Sequence, residues 1–249
     1  FFRLRSKEEP LTLAGTEDKA GMITGMLLII AFSSLSCLDL FMAEKRLSAA
    51  ERANGFYSTV PYFVCKVLFD YVPLRIVPVA MLASVVYFPM GLRQDIGGPF
   101  LWFVAIAVLF SCMVCGMCLA VGMVAPSFGA AALFSALLIL WDATFGGLMI
   151  NASTIPPGFR PFKFISPFYF AFESLMINEL DGLSCTIEPL NSAGISDNEP
   201  IPIPCRQFLF YLGLNPKYFD RDVALLAAWV VGMLIIAGVL LAVFVRHRR

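Results

Sequence analysis

An all-α polytopic membrane protein is the fold class this sequence predicts, and three observations carry that prediction. Hydrophobic residues make up 59% of the chain and charged residues only 14%, against about 45–50% and about 25% in soluble domains. The mean hydropathy of +0.80 leaves too little polar surface to coat a soluble fold. The apolar residues also gather into windows of roughly 20, the length that crosses about 30 Å of hydrocarbon as a helix. A formal net charge of zero gives no reason to expect a polyanionic partner such as nucleic acid.

Five such windows predict spanning helices at about 21–42, 61–90, 99–124, 128–150 and 223–245. The start, "FFRLRSKEEPLTLAG", lacks the basic region and apolar core of a signal peptide. Its "FFRL" reads as the tail of an earlier apolar segment, so the chain is expected to be the C-terminal piece of something longer. The distribution of Lys and Arg between the two sides is almost even; the bare "RHRR" tail votes for an inner C-terminus. Cys185 and Cys205 lie in the long polar stretch 178–222, where a disulfide needs an oxidising compartment. Together these put residues 151–222 outside and the charged stretch 44–58 inside.

That charged stretch, "EKRLSAAERANGFYS", interrupts two apolar runs. Within it, Ser48 and Glu51 have the spacing of a capping box, and Gly55 is a natural stop. The pattern predicts a short separate helix over 48–55, either a solvated connector or a docking element. Further on, Lys66 and Asp70 are one turn apart and can pair. Arg75 falls between two prolines in "VPLRIVP". It either snorkels to the headgroups or satisfies carbonyls that proline frees. The segment "PPGFRPFKFISPFYFAFE" (156–173) is too broken by proline to span and reads as re-entrant or interfacial.

Asp142 stands out in "FSALLILWDATFGGLMI", because a carboxylate at mid-membrane costs at least about 2.5–3.5 kcal/mol. A protonated structural Asp and a cavity-facing Asp are both open readings. "CMVCGMC" (Cys112, Cys115, Cys118) imitates a metal motif, but the row Cys112, Gly116, Ala120 is a small-residue face for helix packing. The sequon Asn151-Ala152-Ser153 begins too near the bilayer for easy glycosylation. His247 is the only His and lies in the tail, which rules out His-based metal or triad chemistry. An intramembrane protease built on Asp39 and Asp142 would need a G-x-G-D-type stretch, which the sequence lacks.

The stretch "LFMAEKRLSAAERANGFYSTVPYFVCKVLFDYVPLRIVPVAMLASVVYF", with "FGGLMIN" and "FYFAFESLMINE", resembles the transmembrane domain of the ABCG (White-type) ABC transporters. The similarity covers nearly the whole chain. It implies five of that domain's six helices, an inner coupling helix at 44–58 and an outer re-entrant segment. By resemblance, Glu44, Lys45, Glu51, Arg52 and Tyr57 transmit the motion of a nucleotide-binding domain. Phe32 takes an aromatic substrate-clamping position, Arg75 lies near the substrate cavity, and Leu148 with Met149 closes its outer end. Asp142 departs from the apolar residue usual there and joins the cavity set as a substrate or cation contact. Leu28 and Ile29 stand where some multidrug members are polar. The family also implies an intrachain disulfide between Cys185 and Cys205; with no third loop Cys, no covalent dimer is expected.

No G-x-x-x-x-G-K-[ST] phosphate loop occurs in the sequence. ATP and Mg are therefore expected in a nucleotide-binding domain upstream in the same polypeptide, with no cofactor and no catalytic site in this stretch. A second transmembrane domain, forming a homo- or heterodimer, and membrane lipid are the other implied partners. The implied function is export of lipids, sterols or other hydrophobic small molecules across a eukaryotic plasma or internal membrane. A channel or scaffold without ATP coupling is the rival, and an upstream nucleotide-binding domain discriminates the two.

Overall fold

A computed structural model describes residues 11–54, 56, 58–92, 97–147, 165–187 and 201–246. The chain order is β1 (Leu11–Thr12), α1 (Leu13–Ser33), α2 (Ser36–Ala53), α3 (Thr59–Cys65), a π-helical segment Lys66–Tyr71 and α4 (Val72–Tyr87). It continues with α5 (Gly98–Val124), α6 (Phe128–Thr144), α7 (Pro167–Leu180), β2 (Ser184–Ile187), β3 (Ile201–Pro204), α8 (Arg206–Tyr211) and α9 (Phe219–Arg246).

Among the described residues, four stretches are long and apolar enough to cross a membrane: Gly15–Lys45, Val60–Tyr87, Gly98–Val124 and Pro216–Val243. The shorter apolar helix Phe128–Thr144 joins them. The fold is thus the expected polytopic helical one. Two of the long stretches are built from broken helices, for identifiable reasons. At the α1–α2 junction, the Ser33 and Ser34 hydroxyls each donate to the Ile30 carbonyl at 2.9 Å, competing with the helical ladder as mid-helix serines do. Between α3 and α4, Pro73 has no N–H and would clash with the carbonyl one turn back; the wider π turn over Lys66–Tyr71 takes up the mismatch.

α5 is the hub, touching α1, α2, α4, α6, α7 and α9. Its Phe103, Ile106, Phe110 and Met113 are fully buried. Tyr87 of α4 meets Phe100 and Phe103 edge-on at 5.1 and 5.0 Å, and Phe110 meets Phe168 of α7 at 5.4 Å. α7 is buried nearly throughout. Its 14 residues rise only about 21 Å, short of the hydrocarbon thickness.

At one end of the bundle a three-stranded sheet forms in the order β1-β2-β3. β1 pairs parallel with β2, Leu11 opposite Cys185; β2 pairs antiparallel with β3, Cys185 opposite Ile203. We call this the sheet end, and the opposite one, where α2 and α5 finish, the charged end.

Two expectations need correction. The first apolar helix starts at Leu13, not near residue 21. The helix expected to begin at Ser48 is no separate element, because α2 runs from Ser36 through to Ala53. Ala, Glu, Lys, Arg and Leu dominate 43–53 and include no Gly or Pro, so propensity carries the helix past the capping pattern. The stretch 151–222, read as an outer loop with a re-entrant or interfacial segment over 156–173, holds α7, β2, β3 and α8 among its described residues. Gly55 and Tyr57 lie outside the described residues, as do Leu148 and Met149.

Candidate permease site and coupling end

At the charged end, the side chains of residues 44–45 are fastened to other helices. Lys45 Nζ donates to the carbonyls of Gly122, Met123 and Ala125 at 2.8, 3.0 and 3.3 Å. These are C-terminal carbonyls of α5, which have no partner within the helix, and an ammonium complements the negative end of its dipole. Glu44 forms an ion pair with Lys66, so Lys66 reaches across to α2. Glu51 is half-buried, and the Arg52 side chain lies outside the described residues.

Deeper in, α2, α4 and α5 enclose a pocket of about 320 Å³. Arg75 lines it and is 9% exposed. Its Nη1 donates to the Ser33 carbonyl at 3.4 Å and its Nη2 to Ser36 Oγ at 3.1 Å. Arg75 therefore does satisfy a freed backbone carbonyl, but that carbonyl belongs to the α1–α2 break rather than to either flanking proline. It points inward and does not snorkel.

Phe32 lies outside that lining although its neighbour Ser33 belongs to it. It is 40% exposed, one turn from Ile29, which is 57% exposed, and it is absent from the pocket lining. Of Phe32, Arg75 and Asp142, Arg75 alone lines this pocket among the described residues.

Asp142 is buried near the C-terminal end of α6, two residues before Thr144, not midway along it. Its carboxylate lies against the Ser166 hydroxyl and the Phe168 amide at the start of α7. Ser166 Oγ donates to the Asp142 carbonyl at 3.0 Å and accepts from Tyr169 N–H at 3.3 Å, capping α7. A carboxylate is stabilised at a helix N-terminus, which fits the structural reading of this buried Asp; its Oδ1 meets no hydrogen-bond partner among the described residues. Gly146 and Gly147 complete this joint. Gly147 has φ +98°, and a Cβ on Gly146 would sit 2.4 Å from Phe168.

The thiols of "CMVCGMC" go to apolar surroundings. Cys112 and Cys115 pack with Phe41 of α2 and with Ala237 and Leu241 of α9. At the sheet end, Cys185 and Cys205 are joined by a disulfide with their Cα atoms 5.0 Å apart.

Sequence reasoning missed a buried polar cluster between α7 and α9. Glu173 Oε1 accepts from the Asn215 N–H at 3.0 Å, and Asp222 takes the Arg221 guanidinium at 2.9 and 2.7 Å. The carboxyl groups of Glu173 and Asp222 meet. The signal was present in "FYFAFESL", an acid inside an aromatic run.

Comparison with known proteins agrees with this architecture. The sequence profile described as "ABC-2 type transporter" matches residues 1–180. The chain is 33% identical over its whole length to ABC transporter G family member 24 of Dictyostelium discoideum, covering 20% of that protein. It is 31% identical over 69% of its length to a probable ATP-dependent permease of Saccharomyces cerevisiae, covering 16%. It is also 30% identical over 68% of its length to the mouse broad substrate specificity ATP-binding cassette transporter ABCG2, covering 26%. The chain thus spans between a sixth and roughly a quarter of these relatives. With its helices arranged as a polytopic membrane domain and this match over most of its length, the chain belongs to the ABC-2 type transporter family and resembles its ABCG members from end to end.

Proposed function

We propose that this chain is the membrane-spanning permease part of an ATP-driven ABCG-type exporter of lipids, sterols or other hydrophobic small molecules. The observation that supports it best is the fastening of α2. The helix carrying Glu44, Lys45, Glu51 and Arg52 runs without a break from the pocket to the charged end. Lys45 ties it to the end of α5, and Glu44 ties it to the helix leading into α4. A push on residues 44–58 is then carried by one rigid lever into two other spans.

In this reading a nucleotide-binding domain, which holds ATP and Mg, docks on 44–58 with Tyr57 among its contacts. A second transmembrane domain faces the surface that presents Ile29 and Phe32, and substrate passes between the two Phe32 side chains. Leu148 and Met149 close the exit. Relatives carrying the words "ATP-dependent permease" and "ATP-binding cassette transporter" add support.

The test is charge reversal of Glu51 and Arg52 together in the full-length protein, reconstituted in liposomes. The expected outcome is normal membrane insertion with basal ATPase activity retained but no longer stimulated by substrate. Stimulated ATPase and transport at wild-type levels would remove the coupling role.

A further inference from the structure

We propose that the pocket between α2, α4 and α5 is a binding site for the phosphate headgroup of an anionic phospholipid, taken from the bilayer and anchored by Arg75. The site lies within one chain and Phe32 is not in its lining, so it needs neither a second subunit nor a lipid as the exported substrate.

The first observation is an unbalanced buried cation. Arg75 is nine-tenths buried and lines the pocket. Its two hydrogen-bond partners, a carbonyl and a hydroxyl, are both neutral. Among the described side chains no carboxylate pairs with it. Lys66 also lines the pocket but carries its own counter-ion in Glu44, so that pair adds no net charge. An Arg inside a membrane span is unfavourable unless something compensates its charge. Its guanidinium has five donors in a planar fork suited to a phosphate, which it can take bidentately.

The second observation is the shape and chemistry of the walls. Leu40, Phe41, Leu74, Pro78, Val79 and Leu119 line the rest of the pocket. Leu40 and Leu74 are exposed, so the wall they form is open to the surroundings of the chain. In this proposal those surroundings are the acyl chains of the bilayer. At about 320 Å³ the pocket is at the small end of ligand sites, enough for a headgroup and the start of one chain with the remainder in the bilayer. Arg75 contacts Ser33 and Ser36, the latter only nine residues before Lys45, so about 14 Å along the helix separates it from the charged end. A headgroup held there is drawn well below the level of its neighbours, by nearly half of the roughly 30 Å hydrocarbon thickness. A free phosphate would gain nothing from walls this apolar, so the source is the lipid.

Because Arg75 bonds the α1–α2 break, a lipid held there also braces the lever that α2 provides.

The experiment is native mass spectrometry of the full-length protein in detergent, titrated with phosphatidylglycerol or with phosphatidylcholine. One phosphatidylglycerol per chain is expected to bind preferentially. Arg75→Gln should weaken that site by about tenfold or more, the loss of a hydrogen bond to a charged group, and leave phosphatidylcholine binding unchanged. Arg75→Lys should restore part of it. Leu74→Trp, which fills the mouth and keeps the charge, should also abolish the site and decides the matter if Arg75→Gln does not fold. Equal binding of both lipids, displacement by millimolar inorganic phosphate, or full phosphatidylglycerol binding in Leu74→Trp would overturn the proposal. Loss of ATPase coupling in the Glu51/Arg52 variant would leave this binding untouched, so the two readings fail separately.

Discussion

Lys19 of α1 and Glu179 of α7 form a buried ion pair across 160 residues of sequence, with side-chain exposures of 10% and 1%. The pair pins the start of the first span to the end of the buried helix, beneath the sheet in which β1 joins β2. Such a pair is held in register by its neighbours: Asn178, the preceding residue on α7, donates to the Pro99 carbonyl of α5 at 2.8 Å.

Removing one partner leaves an uncompensated buried charge, which costs about 3–5 kcal/mol, whereas replacing both by apolar residues of similar size is often neutral. Glu179→Leu is expected to lower the thermal stability of the detergent-solubilised protein sharply. Adding Lys19→Met to it should recover most of the loss. A double variant that falls as far as the two single losses added together would mean that the two residues act independently.

Much of this was legible from residue pattern, and the exceptions have physical causes. Apolar windows found the spans because bilayer thickness fixes their length. Their ends were misjudged where polar residues are buried by tertiary contacts. Thr16 and Lys19 belong to α1 only because α7 supplies Glu179. The Asp70 side chain lies outside the described residues, and Lys66 forms an ion pair with Glu44 from a different helix, which helical spacing could not reveal. Lys45, expected among the coupling residues, caps α5; no local pattern reveals a carbonyl that arrives from 77 residues away. Arg75 was recognised as anomalous, but the Ser33 carbonyl it meets could be known only once the α1–α2 break was seen.

The α6–α7 joint gives a second prediction. A Cβ at Gly146 would lie 2.4 Å from the Phe168 ring and 3.0 Å from the Ala143 carbonyl. Phe168 is itself 1% exposed and cannot swing away freely. Gly146→Ala should therefore destabilise by about 1–3 kcal/mol, the range for overpacking a filled interior. Gly146→Ala combined with Phe168→Leu should regain part of that stability in the same thermal assay. If the single variant is as stable as the parent, the contact between α6 and α7 is looser than described.

The last prediction concerns the disulfide. Cys185 sits on β2 opposite Ile203, and Cys205 follows β3 directly, its N–H donating to the Leu183 carbonyl at 3.1 Å. Both cysteines are buried, and the exposed Arg206–Asp181 pair closes the same turn at 2.7 Å. That surface pair is worth no more than about 1 kcal/mol, and two strands of four residues are marginal alone. The covalent link is the larger contribution. For a sequence separation of 20, the chain-entropy model gives roughly 3 kcal/mol. Mass spectrometry without reduction should show one peptide pair joined through Cys185 and Cys205, with the protein running as a single chain on a denaturing gel. Cys185→Ser, Cys205→Ser and the double variant should lose stability to the same extent, because each removes the same bond. The loss should reach Lys19 and Glu179, since β1 leads directly into α1. Hydrogen exchange at the start of α1 should accordingly quicken in the cysteine variants. Alkylatable thiols at both positions in the untreated protein would defeat the assignment, and unchanged exchange in α1 would confine the bond's influence to the sheet.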